Sequence, residues 1–113
     1  MLPKTNRVTK QKDFDRIFKG GASFKEKFLI LKVIPTKKET NRFAFIISKK
    51  VSKNATVRNK IKRQLREVIR AKMEEIRKGV ECVIIVLPGF NIGNSQEIRD
   101  ALELLLLKAK LVK

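Results

Sequence analysis

The sequence has no histidine and a single cysteine, Cys82, among its 113 residues. Histidine is the most common general base and metal ligand, so its absence excludes histidine-dependent catalytic triads and ordinary zinc sites. One cysteine cannot form an internal disulfide, and the apolar run at residues 82–87 predicts a small buried side chain and not a reactive thiol. If the chain takes part in catalysis, we expect the reactive groups to belong to another molecule.

Acidic residues are also scarce, and the eleven that are present form no pair suited to acid–base or two-metal chemistry. Glu74 and Glu75 are adjacent, but we expect them on the exposed side of a helix, as surface charge. Gly20 and Gly21 precede a predicted strand and not a helix, so they do not form a phosphate-binding loop. We therefore predict no catalytic residue, no metal site and no cofactor bound by the chain alone, and a self-sufficient nuclease is the least favoured function.

Long hydrophobic runs are missing as well. The apolar stretches at residues 28–35 and 82–88 are far shorter than a bilayer requires, and residues 1–4 begin no signal-peptide core. The sequence therefore predicts a cytoplasmic protein with no membrane association. Its length suits one compact domain over residues 1–113, in which residues 1–10, basic and without apolar periodicity, are expected to form a mobile arm.

Positive charge is what the sequence has in excess, with a net charge of +17. Such a field attracts a polyanion, and nucleic acid is favoured over an anionic membrane. The 24 residues from 49 to 72 carry ten Lys or Arg and one acid, Glu67. Because like charges four residues apart destabilise an isolated helix by roughly 0.2–0.5 kcal/mol per pair, this stretch indicates a partner that neutralises it.

The same stretch has the periodicity of an amphipathic helix, predicted from Thr56 to Lys78 with Gly79 as its stop signal. Apolar residues at positions 57, 61, 65, 68, 69, 73 and 76 form one stripe toward a core. The opposite side carries a polar and basic ridge composed of Arg58, Asn59, Lys62, Arg63, Arg66 and Arg70. Cations and apolar side chains on opposite sides of one helix suit the binding of phosphates.

The remaining elements follow from shorter patterns. A first helix is predicted at residues 12–19, and strands at residues 28–34 and 42–48, joined as a hairpin through the polar run 36–41. A short third strand is expected at residues 49–52, and a strand buried on both faces at residues 81–87. Asn94 and Glu97 offer a capping box for a last helix, whose buried stripe comprises Ile98, Leu102, Leu105, Leu106 and Ala109. This order predicts an α+β domain, α-β-β-β-α-β-α, with helices packed on a four-stranded sheet.

Two motifs have specific spacings. The first is Ser48-Lys49-Lys50 followed by a helix with Arg58-Asn59-Lys60, Lys62-Arg63 and Arg66-Glu67. The second is Asp13-Phe14 with Phe18 four residues later, followed by Lys19-Gly20. Together with the late apolar strand and the final helix they cover essentially the whole chain, which resembles the bacterial ribonuclease P protein family. Lys60 departs from the family pattern by replacing an arginine, and Leu31 by standing where relatives often carry an aromatic residue.

The resemblance implies a fold similar to the second domain of a small-subunit ribosomal protein, and a role beside a catalytic RNA. The chain would assist that RNA in removing the 5′ leader from precursor tRNA, while the RNA itself carries out the metal-assisted hydrolysis. Mg²⁺ is accordingly expected in the RNA-containing holoenzyme. The implied partners are the catalytic RNA subunit and the leader of precursor tRNA, with no obligate protein partner.

Charge pattern and resemblance together give the candidate RNA-binding residues, which are Lys49, Lys50, Lys53, Arg58, Asn59, Lys60, Lys62, Arg63, Arg66 and Arg70. The resemblance also implies a leader cleft between the first helix and the sheet. Its expected lining is Phe14, Phe18 and two outward positions of the first predicted strand, Leu29 and Leu31. The residues alone leave two alternatives for Phe14 and Phe18. Core packing is the default, and the other is partial exposure in a groove where bases stack on the rings.

Other functions fit parts of the pattern. A ribosomal-type protein or RNA chaperone of the same fold would use the basic helix to hold structural RNA without any cleavage, and composition alone does not separate it from the favoured reading. The motif spacing and the Phe14/Phe18 pair favour ribonuclease P. An amphipathic helix lying on a membrane or in a calmodulin-like groove is disfavoured, since the apolar side of the helix is needed to cover the sheet.

Overall fold

The structure, a computed structural model, describes residues 11–37, 40–89 and 95–112. Seven elements follow in chain order: α1 (Gln11–Gly20), β1 (Ala22–Glu26), β2 (Leu29–Pro35), β3 (Arg42–Ile47), α2 (Ala55–Lys72), β4 (Val80–Val86) and α3 (Ser95–Lys108). The predicted α+β class and the order α-β-β-β-α-β-α are confirmed. The expected mobile arm at residues 1–10 and the expected cap Asn94 lie outside the described residues.

The four strands form one mixed sheet in the order β1-β2-β4-β3. β1 and β4 flank β2 and run antiparallel to it, whereas β3 runs parallel to β4 at the edge. The predicted hairpin between β2 and β3 is therefore wrong, because β4 lies between them. The physical reason is the composition of β4, which is apolar along nearly its whole length and buried on both faces, so it takes the central place.

The expected strand at residues 49–52 is also wrong. These residues form a turn, in which the amide of Val51 donates to the carbonyl of Ser48 over 3.1 Å. The additional strand is β1, which pairs with β2 through a tight turn where Lys27 has a φ of 52°. β1 has little apolar content and is mostly exposed at the sheet edge, so its sequence carries a weak strand signal.

Helix α2 ends at Lys72, six residues before the predicted end. The chain continues as turns, in which the amides of Glu75 and Ile76 donate to the carbonyl of Lys72 over 2.9 and 3.0 Å. Ile76 still reaches the core, which explains why the apolar periodicity extends beyond the helix itself. Gly79 adopts a φ of 82° before β4 begins, a conformation that glycine accepts without strain.

The two faces of the sheet are covered unequally. Helices α2 and α3 cover one face and bury a large apolar cluster that includes the whole predicted stripe of α3. On the other face α1 contributes Ile17, which packs against Ala44 and Val83. Cys82 is buried, as predicted, and this burial raises the pKa of its thiol to about 12, with the adjacent Glu81 carboxylate adding to the rise. The thiol is therefore protonated and unreactive near neutral pH.

Candidate RNA-binding surfaces

The start of α2 is held by local hydrogen bonds. Asn54 is its N-cap, and the Asn54 side chain accepts from the amide of Thr56 over 2.9 Å. The guanidinium of Arg58 donates to the carbonyl of Ser52 over 2.7 Å, which ties the helix to the preceding turn. The first turn of α2 has no acidic residue, although the positive end of the helix dipole favours one. An anionic partner at this end would supply the missing negative charge.

The two flanks of α2 differ in charge. The core side holds Ile61, Leu65, Val68 and Ile69, and one flank meets α3 through an ion pair of 3.2 Å between Glu67 and Arg99. The other flank lies toward the edge strand β3 and carries three half-buried cations spaced by four residues, Arg58, Lys62 and Arg66. We call these three residues the basic flank. Arg63, Arg70 and Asn59 are more exposed and lie farther from the core.

Arg66 is the member of the basic flank that lies against an aromatic ring of β3. Its guanidinium carbon lies 6.0 Å from the centroid of the Phe45 ring on β3, within range of a cation–π contact. The Nε atom of Arg66 is buried without a hydrogen-bond partner among the described residues. A buried donor without an acceptor costs free energy, so a movement of the Arg66 side chain that brought its Nε to a phosphate oxygen would be favourable.

No carboxylate in the described ranges forms an ion pair with the predicted RNA-binding cations. The cation–carboxylate pairs of the described chain lie elsewhere, for example between Lys72 and Glu75 at 3.8 Å and between Lys108 and Glu26 at 2.9 Å. The uncompensated cations of the predicted set are Lys49, Lys50, Lys53, Arg58, Lys60, Lys62, Arg63, Arg66 and Arg70. Their charge is available to an external anion.

The structure does not bring every predicted residue together. The turn that leads into α2 carries three exposed lysines, Lys49, Lys50 and Lys53. They extend the positive charge of the basic flank beyond the N-terminal end of the helix. Lys60 lies two residues from both Arg58 and Lys62, which places it roughly 160° around the helix from them. It is exposed on the α3 side and does not belong to the basic flank.

A second surface lies on the sheet face that α1 partly covers. The strand register puts Lys25, Ile30 and Lys32 on this face, next to Ile46 and Ile85. Phe14 is half-buried and Phe18 is 40% exposed. The Nζ atom of Lys32 lies 5.9 Å from the centroid of the Phe18 ring. We call this surface, formed by α1 and the uncovered end of the sheet, the α1 face.

Leu29 and Leu31 do not line this surface, and the expectation that they point outward is wrong. Both have 0% exposure and pack in the large core beneath α2 and α3. Side chains alternate along a strand, so the residues that point toward the α1 face are Ile30, Lys32 and Ile34. Both alternating sets of β2 side chains are mostly apolar, so hydrophobicity alone does not show which set faces the core. Lys32, in the middle of the strand, indicates which set faces away from the core.

Four charged side chains between α1 and the sheet form a group that the sequence analysis missed. Arg42 and Arg16 both donate to the Glu81 carboxylate, which has 0% exposure. The Asp13 carboxylate pairs with Arg16 at 3.3 Å and with Arg42 at 3.2 Å. We call these four residues the ion cluster. The available signal was Glu81, an acid inside an otherwise apolar strand, which requires a buried cation as partner.

The described residues offer neither a metal site nor a membrane span. Within residues 11–37, 40–89 and 95–112, no three His, Cys, Asp or Glu side chains converge to hold a metal ion. Of the helices in that part of the chain, none is long and apolar enough to cross a bilayer. The candidate sites are the two surfaces built from α2 and from α1, whose uncompensated cations and exposed aromatic ring suit nucleic acid.

Comparisons with known proteins agree with this geometry. The family model described as Ribonuclease P matches residues 2–110. The ribonuclease P protein component of Pseudanabaena is 35% identical over 113 residues, covering 99% of this chain and 97% of that relative. The corresponding component of Synechocystis is 41% identical over 88 residues, covering 77% of this chain and 71% of that relative.

Two solved structures have the same fold. The RNase P protein of Staphylococcus aureus superposes with a TM-score of 0.88 at 29% identity, covering 96% of this chain and 98% of the other. The protein from Thermotoga maritima gives a TM-score of 0.74 at 28% identity, covering 88% and 94%. The chain therefore belongs to the ribonuclease P family, as the protein component of an RNA-based endoribonuclease.

Proposed function

We propose that the chain binds the catalytic RNA of ribonuclease P through the basic flank of α2, and the 5′ leader of precursor tRNA on the α1 face. The observation that supports this most is the set of cations on α2 and in the preceding turn that no described carboxylate neutralises. Each phosphate contact would release counterions and so contribute favourably to binding. The half-buried Arg66 side chain and the acid-free first turn of α2 add to the positive charge of the same helix.

The proposal for the leader rests on the composition of the α1 face. Phe18 presents an exposed ring, and exposed aromatic rings beside a basic groove are the usual platform for single-stranded RNA. Lys25 and Lys32 lie on the same face and would contact leader phosphates, while Ile30 provides an apolar floor. A surface of this kind binds single strands with little dependence on base identity, as a leader of variable sequence requires.

The reacting groups belong to the RNA in this proposal. Magnesium prefers several oxygen ligands, and the described residues contain no cluster that fits a protein-held ion. Mg²⁺ is therefore expected on the RNA, where it would supply the metal-assisted hydrolysis. The chain would act by neutralising phosphates and by holding the leader beside the RNA. We expect this function in the cytoplasm, where bacterial precursor tRNA is transcribed.

The test is a cleavage assay with purified components. Precursor tRNA and Mg²⁺ are incubated with the chain alone, with a ribonuclease P RNA alone, and with both. We expect no cleavage by the chain alone, and faster cleavage at low Mg²⁺ with both than with the RNA alone. Magnesium-dependent cutting by highly purified chain without RNA would overturn the assignment of the reacting groups. An absence of any stimulation would overturn the proposed assistance.

A further inference from the structure

The ion cluster joins three elements at the covered end of the α1 face. Asp13 and Arg16 come from α1, Arg42 from β3 and Glu81 from β4. Glu81 is fully buried, Asp13 is 8% exposed, and the Arg42 side chain is 14% exposed. Two cations and two carboxylates make the cluster neutral, so in a strongly basic chain it adds no attraction for RNA.

The apolar contact between α1 and the sheet is small compared with the core beneath α2 and α3. In this contact Ile17 is fully buried, and Phe14 is half-buried beside it. An apolar contact of this size can be kept at several helix orientations, whereas ion pairs with buried partners have directional geometry. Buried ion pairs add little net stability in general, but they can select one arrangement of the elements that they join.

The other end of α1 is held by the close approach of backbone. The amide of Gly21 donates to the carbonyl of Ile17 over 2.9 Å. A Cβ atom at Gly21 would lie 2.5 Å from that carbonyl oxygen and 3.0 Å from the carbonyl oxygen of Val33, so this position requires glycine. The helix thus lies against the backbone of β2 at its C-terminal end and is paired with β3 and β4 through the ion cluster.

The spacing along α1 links the cluster to the exposed ring. Asp13 and Ile17 are four residues apart and both point at the sheet, and Phe14 and Phe18 each follow one position later. A rotation of α1 that released Asp13 would move the Phe18 ring away from Lys32, which lies 5.9 Å from it in this arrangement. The orientation of the leader surface therefore depends on residues that do not contact the leader.

We infer that Asp13, with Arg16, Arg42 and Glu81, is a positioning residue for leader recognition: the ion cluster fixes the orientation of α1 and so places Phe18 over the α1 face. The inference rests on the proposed binding of the leader there. The effect on binding is selective. A misplaced α1 weakens the binding of precursor tRNA, because only the precursor carries a leader. The binding of mature tRNA, and the binding of the RNA subunit through the basic flank of α2, do not change.

The decisive variant is Asp13→Asn, which keeps the shape of the side chain and leaves Glu81 paired with both arginines. Its matched control is Asp15→Asn, at an exposed position of the same helix with the same change of charge. Removal of an acid by itself strengthens RNA binding slightly. If Asp13 positions α1, Asp13→Asn should have the opposite effect. We expect the ratio of precursor to mature tRNA affinity to fall roughly five- to tenfold, which is the lower end of the range for the loss of one base stack.

The measurements are the holoenzyme affinities for precursor and mature tRNA, the affinity for the RNA subunit, and amide exchange of α1. We expect Asp13→Asn to lower the precursor affinity selectively and to speed exchange in α1, and Asp15→Asn to change neither. Equal behaviour of the two variants would overturn the inference. Equal weakening of precursor and mature tRNA by Asp13→Asn would also overturn it, because that pattern indicates a general loss of structure.

Two further variants separate the possible failures. Phe18→Ala tests the leader surface directly: if it is not selective for the precursor, the proposed function of the α1 face fails; if it is selective but Asp13→Asn is not, the positioning role alone fails. Should Asp13→Asn prevent folding, Arg16→Gln tests the cluster from its half-exposed member. Arg16→Gln must reproduce the selective loss without changing the salt dependence, since a lower salt slope would make Arg16 a direct phosphate contact and overturn the inference.

Discussion

The two faces of the sheet differ in how much apolar core they bury and in how many side chains they expose. The face beneath α2 and α3 is closed and apolar, and it buries the large majority of the core. On the α1 face the helix is held by the ion cluster and a small apolar contact, and Phe18 and Lys25 are exposed beside the half-buried Lys32. The difference indicates that stability comes mainly from one face, so that the other can carry a binding surface whose side chains are not needed for folding.

Neighbouring residues of β2 give the sharpest test of this division. Leu31 is fully buried on the closed face, and Ile30 is half-buried on the α1 face. We expect Leu31→Ala to lower the free energy of unfolding by about 2–5 kcal/mol, and Ile30→Ala to lower it by less than about half of that. Urea denaturation of both variants measures the difference. Equal losses would mean that the α1 face is as important for stability as the closed face.

Phe18 tests whether the α1 face binds the leader of precursor tRNA. We expect Phe18→Ala to weaken holoenzyme binding of precursor tRNA by about 1–3 kcal/mol, the range for one lost base stack, while mature tRNA binds as before. The partly exposed ring makes a smaller contribution to folding than a core phenylalanine, so the fold should persist. Titrations with both tRNAs, with a thermal melt of each variant, measure this. A variant that unfolds, or that weakens both tRNAs equally, would assign Phe18 to the core.

Arg66 on the basic flank of α2 and Arg99 on α3, which pairs with the opposite flank of α2, provide a further comparison. Replacement of Arg66 on the basic flank by glutamine should reduce the slope of log K against log[salt] for RNA-subunit binding by about 0.7–0.9. The matched control is Arg99→Gln on α3, which removes the same charge from a residue already paired with Glu67. Filter-binding or fluorescence titrations over a salt series give both slopes. An unchanged slope for Arg66→Gln would remove this residue from the phosphate contacts.

The smallest effect concerns Cys82 in the closed core. Its thiol pKa is raised in the folded state from 9.0 to about 12, so the folded chain retains a proton that the unfolded chain loses at high pH. The stability that Cys82 contributes is therefore present below pH 9 and is lost as the pH rises from 9 toward 12, by about 1–2 kcal/mol at pH 10. Urea denaturation at pH 8 and pH 10 should show a smaller loss for Cys82→Val than for the parent. Equal losses would mean that the thiol does not titrate in this way.

The elements with strong periodicity were predictable from the sequence. Helices α2 and α3 have long apolar stripes, and β4 is apolar enough to indicate burial on both faces, so their existence and type follow from local pattern. β1 was missed because it is a mostly exposed edge strand. The pairing of β2 with β3 was wrong because adjacency along the chain is a local signal, whereas the central position of β4 is decided by packing of the whole sheet.

The candidate sites divide in the same way. The basic flank of α2 follows from helical spacing, since charge and period appear together in one continuous segment. The α1 face combines residues from α1 and all four strands, and its floor depends on which side chains of β2 point toward it, which an apolar strand does not reveal. The ion cluster joins positions 13, 16, 42 and 81, and no local pattern connects such distant residues.

The central position of β4 has a consequence for the synthesis of the chain. A ribosome makes β1, β2, β3 and α2 before β4, so the strand that joins the sheet is the last to emerge. Until residue 86 has been made, β2 has one partner, and β3 has none, because its neighbour in the sheet is β4. The sheet is therefore completed late, when β4 inserts between β2 and β3, and α3, which covers one of its faces, is made later still. We expect a nascent chain stalled before Val80 to leave β2 and β3 with unpaired edges and so to be sensitive to proteases.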